Sequence, residues 1–137
     1  MHAPAHAPLN ASLDVIMTLE EILSVCEARA PTTAEIEMYS KSGGLAVESA
    51  LNSLALEVAR RYASGALGFP ECDAVMNNLH SWSLFNRERL LPDQAHQVFL
   101  AFDEGEYRHP EDGADVDTEE KYTRSMIMDI LRGFDAV

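Results

Sequence analysis

Little in this sequence is basic. Ten Lys and Arg face 23 Asp and Glu over 137 residues, leaving a formal net charge of −13. Binding to nucleic-acid phosphates or anionic lipid draws its attraction from Lys and Arg, so both partner classes are disfavoured. Long apolar runs are missing too. The longest is Val98-Phe99-Leu100-Ala101-Phe102, well short of the roughly 20 residues that span a membrane. There are only two cysteines, Cys26 and Cys72, far apart and without a CxxC spacing. That excludes a disulfide framework and a thiolate zinc knuckle. With seven Gly and six Pro, collagen-like and low-complexity classes fall away. The stretch Met1-His2-Ala3-Pro4-Ala5-His6-Ala7-Pro8 lacks the basic flank and apolar core of a secretory signal. These absences together point to a reduced, cytoplasmic protein.

What is present is a helical pattern. Hydrophobic residues make up 47% of the chain and charged residues 24%, the composition of a globular protein. Residues 1–10 read as a loose Ala/Pro/His tail, and residues 11–137 as one helical domain. Leu13, Ile16, Leu19, Leu23 and Cys26 recur at steps of three and four, which predicts a helix over 12–30 with Ser12 as its N-cap and Pro31 as its stop. Thr32 and Glu35 have capping-box spacing and predict a short helix over 33–41. Alternation through Ile36, Met38 and Ser40 leaves a strand as the alternative there.

After Gly43-Gly44, the segment 45–64 has the widest stripe, Val47, Leu51, Leu54, Val58 and Tyr62, broadened by Ala50, Leu56, Ala59 and Ala63. Such width implies neighbours on several sides, so this helix is placed centrally. A fourth helix starts at Phe69-Pro70, with Val75, Leu79, Trp82 and Phe85 as its inner face. The charged link Arg87-Glu88-Arg89 follows. A fifth runs from Pro92-Asp93 to about Gly105, with Ala95, Val98, Phe99 and Phe102 inward. The last opens at Asp117 and carries Tyr122, Met126, Ile127, Ile130, Leu131 and Phe134. The fold class is therefore all-α, an irregular bundle of five to six helices around a central apolar one.

Chemistry is harder to find. There is no GxSxG elbow, HExxH pair or P-loop. Cys26 lies on an apolar stripe and Cys72 stands between Glu71 and Asp73, so neither reads as an activated thiolate. The distinctive feature is one run of charge. Asp103, Glu104, Glu106, Glu111, Asp112, Asp115, Asp117, Glu119 and Glu120 face a single base, Arg108. A calcium loop of the EF-hand type is excluded by register. Counting from Asp115, glycine is missing at position six, which is Glu120, and the bidentate acid is missing at position twelve, which is Met126.

The favoured reading of this run is a docking surface for a basic protein partner, built from Glu104, Glu106, Tyr107, Glu111, Asp112 and Asp115, with Tyr107 as an aromatic anchor amid charge. Tyr107 folded back onto the core is the competing reading. In size, charge and helicity the chain resembles the small acidic inhibitors and immunity proteins that neutralise toxins; no motif joins it to them. No cofactor and no catalytic residue are called for. A second hypothesis is a bundle metal site or small-ligand site drawing on His96, Asp103, Glu106 and His109, although the Glu-x-x-His pairs of such bundles are absent. A third is a homo-oligomer that buries the surplus apolar residues of segment 45–64 between subunits. Met128, outward on the last helix, is a further interface candidate.

Overall fold

Three helices start on capping side chains in the computed structural model, which describes residues 16–87 and 90–135. Helix α1 (Leu19–Ala28) opens on Thr18, whose hydroxyl accepts from the Glu21 amide at 3.1 Å while the Glu21 carboxylate accepts from the Thr18 amide at 2.9 Å. Helix α2 (Thr33–Ser42) repeats this reciprocal box with Thr32 and Glu35. The third signal is Asp117, whose Oδ1 accepts from the Glu120 amide at 3.2 Å. Each cap satisfies amides that a helix end leaves unpaired, a contribution of about 1 kcal/mol. The expected N-cap Ser12 lies outside the described residues. Residues 16–18 are not helical, and Thr18 is extended, so the helix predicted from residue 12 is not continuous through Thr18. The 33–41 segment is helix, and the strand alternative is thereby removed.

Helix α3 (Val47–Ser64) ends on Gly65, which takes a left-handed conformation at φ 83°. It packs against α2, α4 (Phe69–Asn86), α5 (Asp93–Glu104) and α6 (Ser125–Asp135), and is central as its wide stripe predicts. Leu51, Leu54, Ala55, Val58 and Ala59 are almost wholly buried, so most of the surplus apolar surface of α3 is taken up inside the chain. Around it lie Ile22, Ile36, Met76, Leu79, Val98, Phe102 and Ile127, forming one continuous core. Removing a side chain such as Leu54 from that core costs about 2–5 kcal/mol. Both cysteines are free and buried. Burial pushes each thiol up to about 12, which makes them inert.

Two expectations are corrected. Phe85 does not face inward: it is 86% exposed at the end of α4, with Leu84 and Leu90 also exposed nearby in the chain. The last helix also does not begin as an α-helix. Glu119–Arg124 forms a π-helical turn that continues directly into α6. This wider turn packs against the C-terminal end of α5. There the buried Thr123 hydroxyl donates to the Ala101 carbonyl at 2.7 Å, and the Thr118 hydroxyl donates to the Gly105 carbonyl at 2.8 Å. Helix α5 lacks a side-chain cap of its own, and its Ala95 amide instead donates to Asn52 Oδ1 of α3 at 2.9 Å.

Gly105 is buried where α5 meets the π turn, with an ordinary φ of −83°. Its lack of a side chain serves close approach rather than turn geometry. A Cβ at this position would stand 2.0 Å from Thr123 Oγ1 and 3.1 Å from Thr123 Cβ. Gly105→Ala is therefore expected to destabilise the fold by about 1–3 kcal/mol, the usual cost of overpacking. Urea unfolding checks this, and an unchanged midpoint would show that the contact yields freely.

Candidate functional site

The end of α5 and the loop after it, residues 105–118, are held by side chains of the loop and of the π turn that follows it. Asp112 is the anchor. Its side chain is fully covered. Its carboxylate accepts from the His109 amide at 3.0 Å, from the Tyr122 hydroxyl at 2.9 and 3.0 Å, and from Lys121 Nζ at 2.5 Å. The Lys121 ammonium, with help from the His109 amide and the Tyr122 hydroxyl, lowers the Asp112 carboxyl to about 2. Lys121 and Tyr122 both come from the π turn. The loop is thus tied to the same element that grips Gly105.

Above this anchor the His109 ring lies between two tyrosines, 4.4 Å from the Tyr107 ring and 4.1 Å from the Tyr122 ring. His109 Nε2 sits 3.0 Å from the Glu104 carbonyl and 3.4 Å from Glu104 Oε1, while the Tyr107 hydroxyl reaches Glu104 Oε2 at 3.3 Å. Arg108 turns its guanidinium onto the loop's own backbone, donating to the carbonyls of Gly113 at 2.5 Å and Val116 at 3.2 Å. The only base in the run therefore closes the loop and, among the described residues, forms no ion pair with a carboxylate. The π turn is braced from α3 as well. The Tyr62 hydroxyl donates to Glu119 Oε2 at 2.7 Å, and the Arg124 guanidinium lies 4.9 Å over the Tyr62 ring.

Of the six residues expected to meet a partner, Glu106, Tyr107, Glu111 and Asp115 stand at the surface and Glu104 is partly covered. Asp112 instead faces inward as the loop's structural anchor, because three donors, the His109 amide, Lys121 Nζ and the Tyr122 hydroxyl, converge on it. Tyr107 is not folded back onto the core. It is 48% exposed, and packs on the loop's own histidine rather than on the core. Among the described residues, Asp103, Glu106, Glu111, Asp115 and Asp117 form no ion pair with a Lys or Arg.

The alternative set His96, Asp103, Glu106 and His109 is not gathered into a ligand cage. Among the described residues, no group of three or more His, Cys, Asp or Glu side chains is arranged to hold a metal ion. His109 is held in its tyrosine stack, while His96 lies along the Phe99 ring at 6.2 Å. Asp103 and Glu106 meet different neighbours, from α4. The Asn77 amide donates to Glu106 Oε2 at 2.8 Å. Asp73 lies beside Glu106, and burial first, then Glu106, raises the Asp73 carboxyl to about 8. Burial and the charges of Glu106 and Glu104 also raise Asp103. Nearby, His80 stacks on Phe99 at 3.9 Å, and burial holds its pKa below the usual range. Reading the sequence by its apolar stripe passes over this α4 face. The signal available was the spacing of Asp73, Asn77 and His80, at i, i+4 and i+7 on one side of a helix.

No family model matches the chain, and no curated protein or solved structure matches it.

Asp112 makes the loop's order depend on acid. Its folded value lies below the ordinary carboxylate value near ~3.9, so its contribution is present above about pH 4 and is lost as pH falls toward 2. Asp112→Ala is expected to lower the melting temperature at pH 7 and to speed proteolytic cleavage within 105–118. The deficit against the parent should shrink between pH 4 and pH 2. An equal melting temperature at pH 7 and unchanged cleavage would refute the anchoring role.

Proposed function

We propose that this chain is an acidic protein-interaction module that docks on a basic protein partner through the end of α5 and the loop over residues 105–118. The observation that carries the reading is the fate of Arg108. The one base within the acidic run is turned onto backbone carbonyls, so among the described residues it is not paired with any one of the surrounding carboxylates, which outnumber it. Exposed Glu106, Glu111 and Asp115 supply a negative field, and half-exposed Tyr107 supplies an apolar contact among them.

Order matters as much as charge. Carboxylates on a tied loop present a field of fixed shape, which orients an incoming basic surface and accelerates encounter. The anchored Asp112 and the Tyr107–His109–Tyr122 stack support this, since they fix the backbone from which the exposed acids project. Free, buried thiols fit a reducing compartment, and the cytoplasm is the proposed setting. Among the described residues, no helix is long and apolar enough to cross a membrane.

The test is affinity capture from native lysate, using the parent chain and a variant carrying Glu111→Gln and Asp115→Asn, the two exposed acids that, among the described residues, make no tie within the molecule. Asp112 is left intact so that the loop stays tied. The parent should retain a stoichiometric basic protein at low salt and release it near about 1 M salt, where the Debye length is about 3 Å. The variant should retain at least tenfold less. Equal capture by both chains, or a partner that salt does not release, would falsify the electrostatic reading. An empty capture with the parent counts against a protein partner altogether.

A further inference from the structure

The contact between α4 and the first residue after Gly105 joins two acids. Glu106 is pinned over α4 by the Asn77 amide at 2.8 Å, and Asn77 stands one helical turn beyond Asp73. Asp73 Oδ1 is buried and, among the described residues, no donor reaches it. An ionised carboxylate with an uncompensated buried oxygen is costly. A carboxylic acid in that place is not, because its own proton can bridge to the neighbouring carboxylate. Among the described residues, no Lys or Arg acts on Asp73. The charges acting on Asp73 are Glu106 from the loop and Asp103 from α5, both negative. Glu104 adds to them through Asp103. His80 on α4 faces Asp103, but its own burial and His96 on α5 disfavour its charged form.

We propose that Asp73 and Glu106 share one proton, and that this acid–carboxylate hydrogen bond is a pH-operated latch fastening the start of the 105–118 loop to α4. While the proton is held, Asp73 donates to Glu106 and Asn77 donates to the same carboxylate. When hydroxide removes the proton as water, two carboxylates face each other and the loop's first turn loses its hold on α4. The latch does not depend on the docking reading, since it concerns a contact within the chain.

The direction of the pH dependence follows from Asp73. Its carboxyl is raised in the folded protein to about 8, against about 3.9 in an unfolded chain. Its stabilising contribution is therefore complete below about pH 4. It declines as pH rises, because the unfolded chain ionises first, and the decline ends once the folded group has also lost its proton near pH 8. Asp73→Asn keeps a donor toward Glu106 and cannot ionise.

The experiment is a carbon-13 NMR titration of the Asp73 carboxyl in the intact chain, with melting curves for the parent and Asp73→Asn between pH 4 and 9. The Asp73 carbon should titrate at least two pH units above about 3.9, and the amide signals of residues 105–109 should shift with the same midpoint. Glu106→Gln should move that midpoint down. Asp73→Asn should melt higher than the parent above pH 7, with the gap closing toward pH 4, and its loop amides should lose the shift. An Asp73 midpoint near 4 overturns the shared proton. A high midpoint with loop amides that do not follow it overturns the latch. The parent's titration decides the question even where a variant folds poorly.

Discussion

The arrangement of the acidic end of this molecule depends on how closely the backbone at Gly105 can approach Thr123. The space a Cβ would need at residue 105 is filled by the Thr123 side chain, whose hydroxyl continues to the Ala101 carbonyl. This seats the π turn directly on the last turn of α5. Other contacts at this end follow from it. Tyr122 and Lys121 project from the seated π turn to Asp112, Glu119 projects to Tyr62, and Thr118 caps the Gly105 carbonyl. A turn of π-helix carries one more residue per hydrogen-bonded ring than an α-turn, and such turns persist where packing holds them. Here Thr123 is buried against α5 while Glu119 meets α3 and Tyr122 meets the loop, and one short segment serves all three.

Charge is divided between those ties and the surface. Asp112, Glu119 and Glu104 are used within the molecule, satisfied by donors from Lys121, Tyr62, Tyr107 and Tyr122. Hydrogen bonds to an ionised carboxylate are stronger than neutral ones. For that reason a loop with no apolar core of its own can still be held in place. Glu111 and Asp115 lie outside these ties and face water. Repulsion among the remaining acids opposes the fold, and the proton between Asp73 and Glu106 lowers it by one charge where the cluster is most buried.

Much of the fold was legible in local signals. The Thr32–Glu35 box and the Asp117 cap are short-range chemistry, readable from residues three apart. The stripe of α3 is wide because four helices cover it, and the position of Leu51, Leu54 and Val58 in the core follows from that width. The misreadings have different causes. The apolar spacing runs on through Ile16 and Leu19 without a break, whereas the reciprocal bond between Thr18 and Glu21 starts a helix at that point. Phe85 continues the stripe of Trp82 by periodicity, yet it points to solvent while the next two residues, Asn86 and Arg87, still reach Thr33 of α2 and Glu48 of α3; spacing alone does not say which residues of a last turn a neighbour covers. The π turn adds a residue that no 3.6-residue period anticipates.

The candidate site was half legible for a related reason. Net charge along a chain identifies where acids are dense and says nothing of which ones turn inward. Asp112 and Asp115 have the same chemistry and nearly the same neighbours in sequence, and their difference is made by two residues of the π turn, Lys121 and Tyr122. Asp73 lay outside the run altogether and enters only because α4 and α5 pack side by side. A run of like charge is ordinarily a solvated, self-repelling stretch. It becomes an oriented surface when opposite charge, buried hydroxyls and a shared proton fix its backbone from beneath. Those groups lie on α3, α4 and the π turn, in the folded protein and not in the run itself.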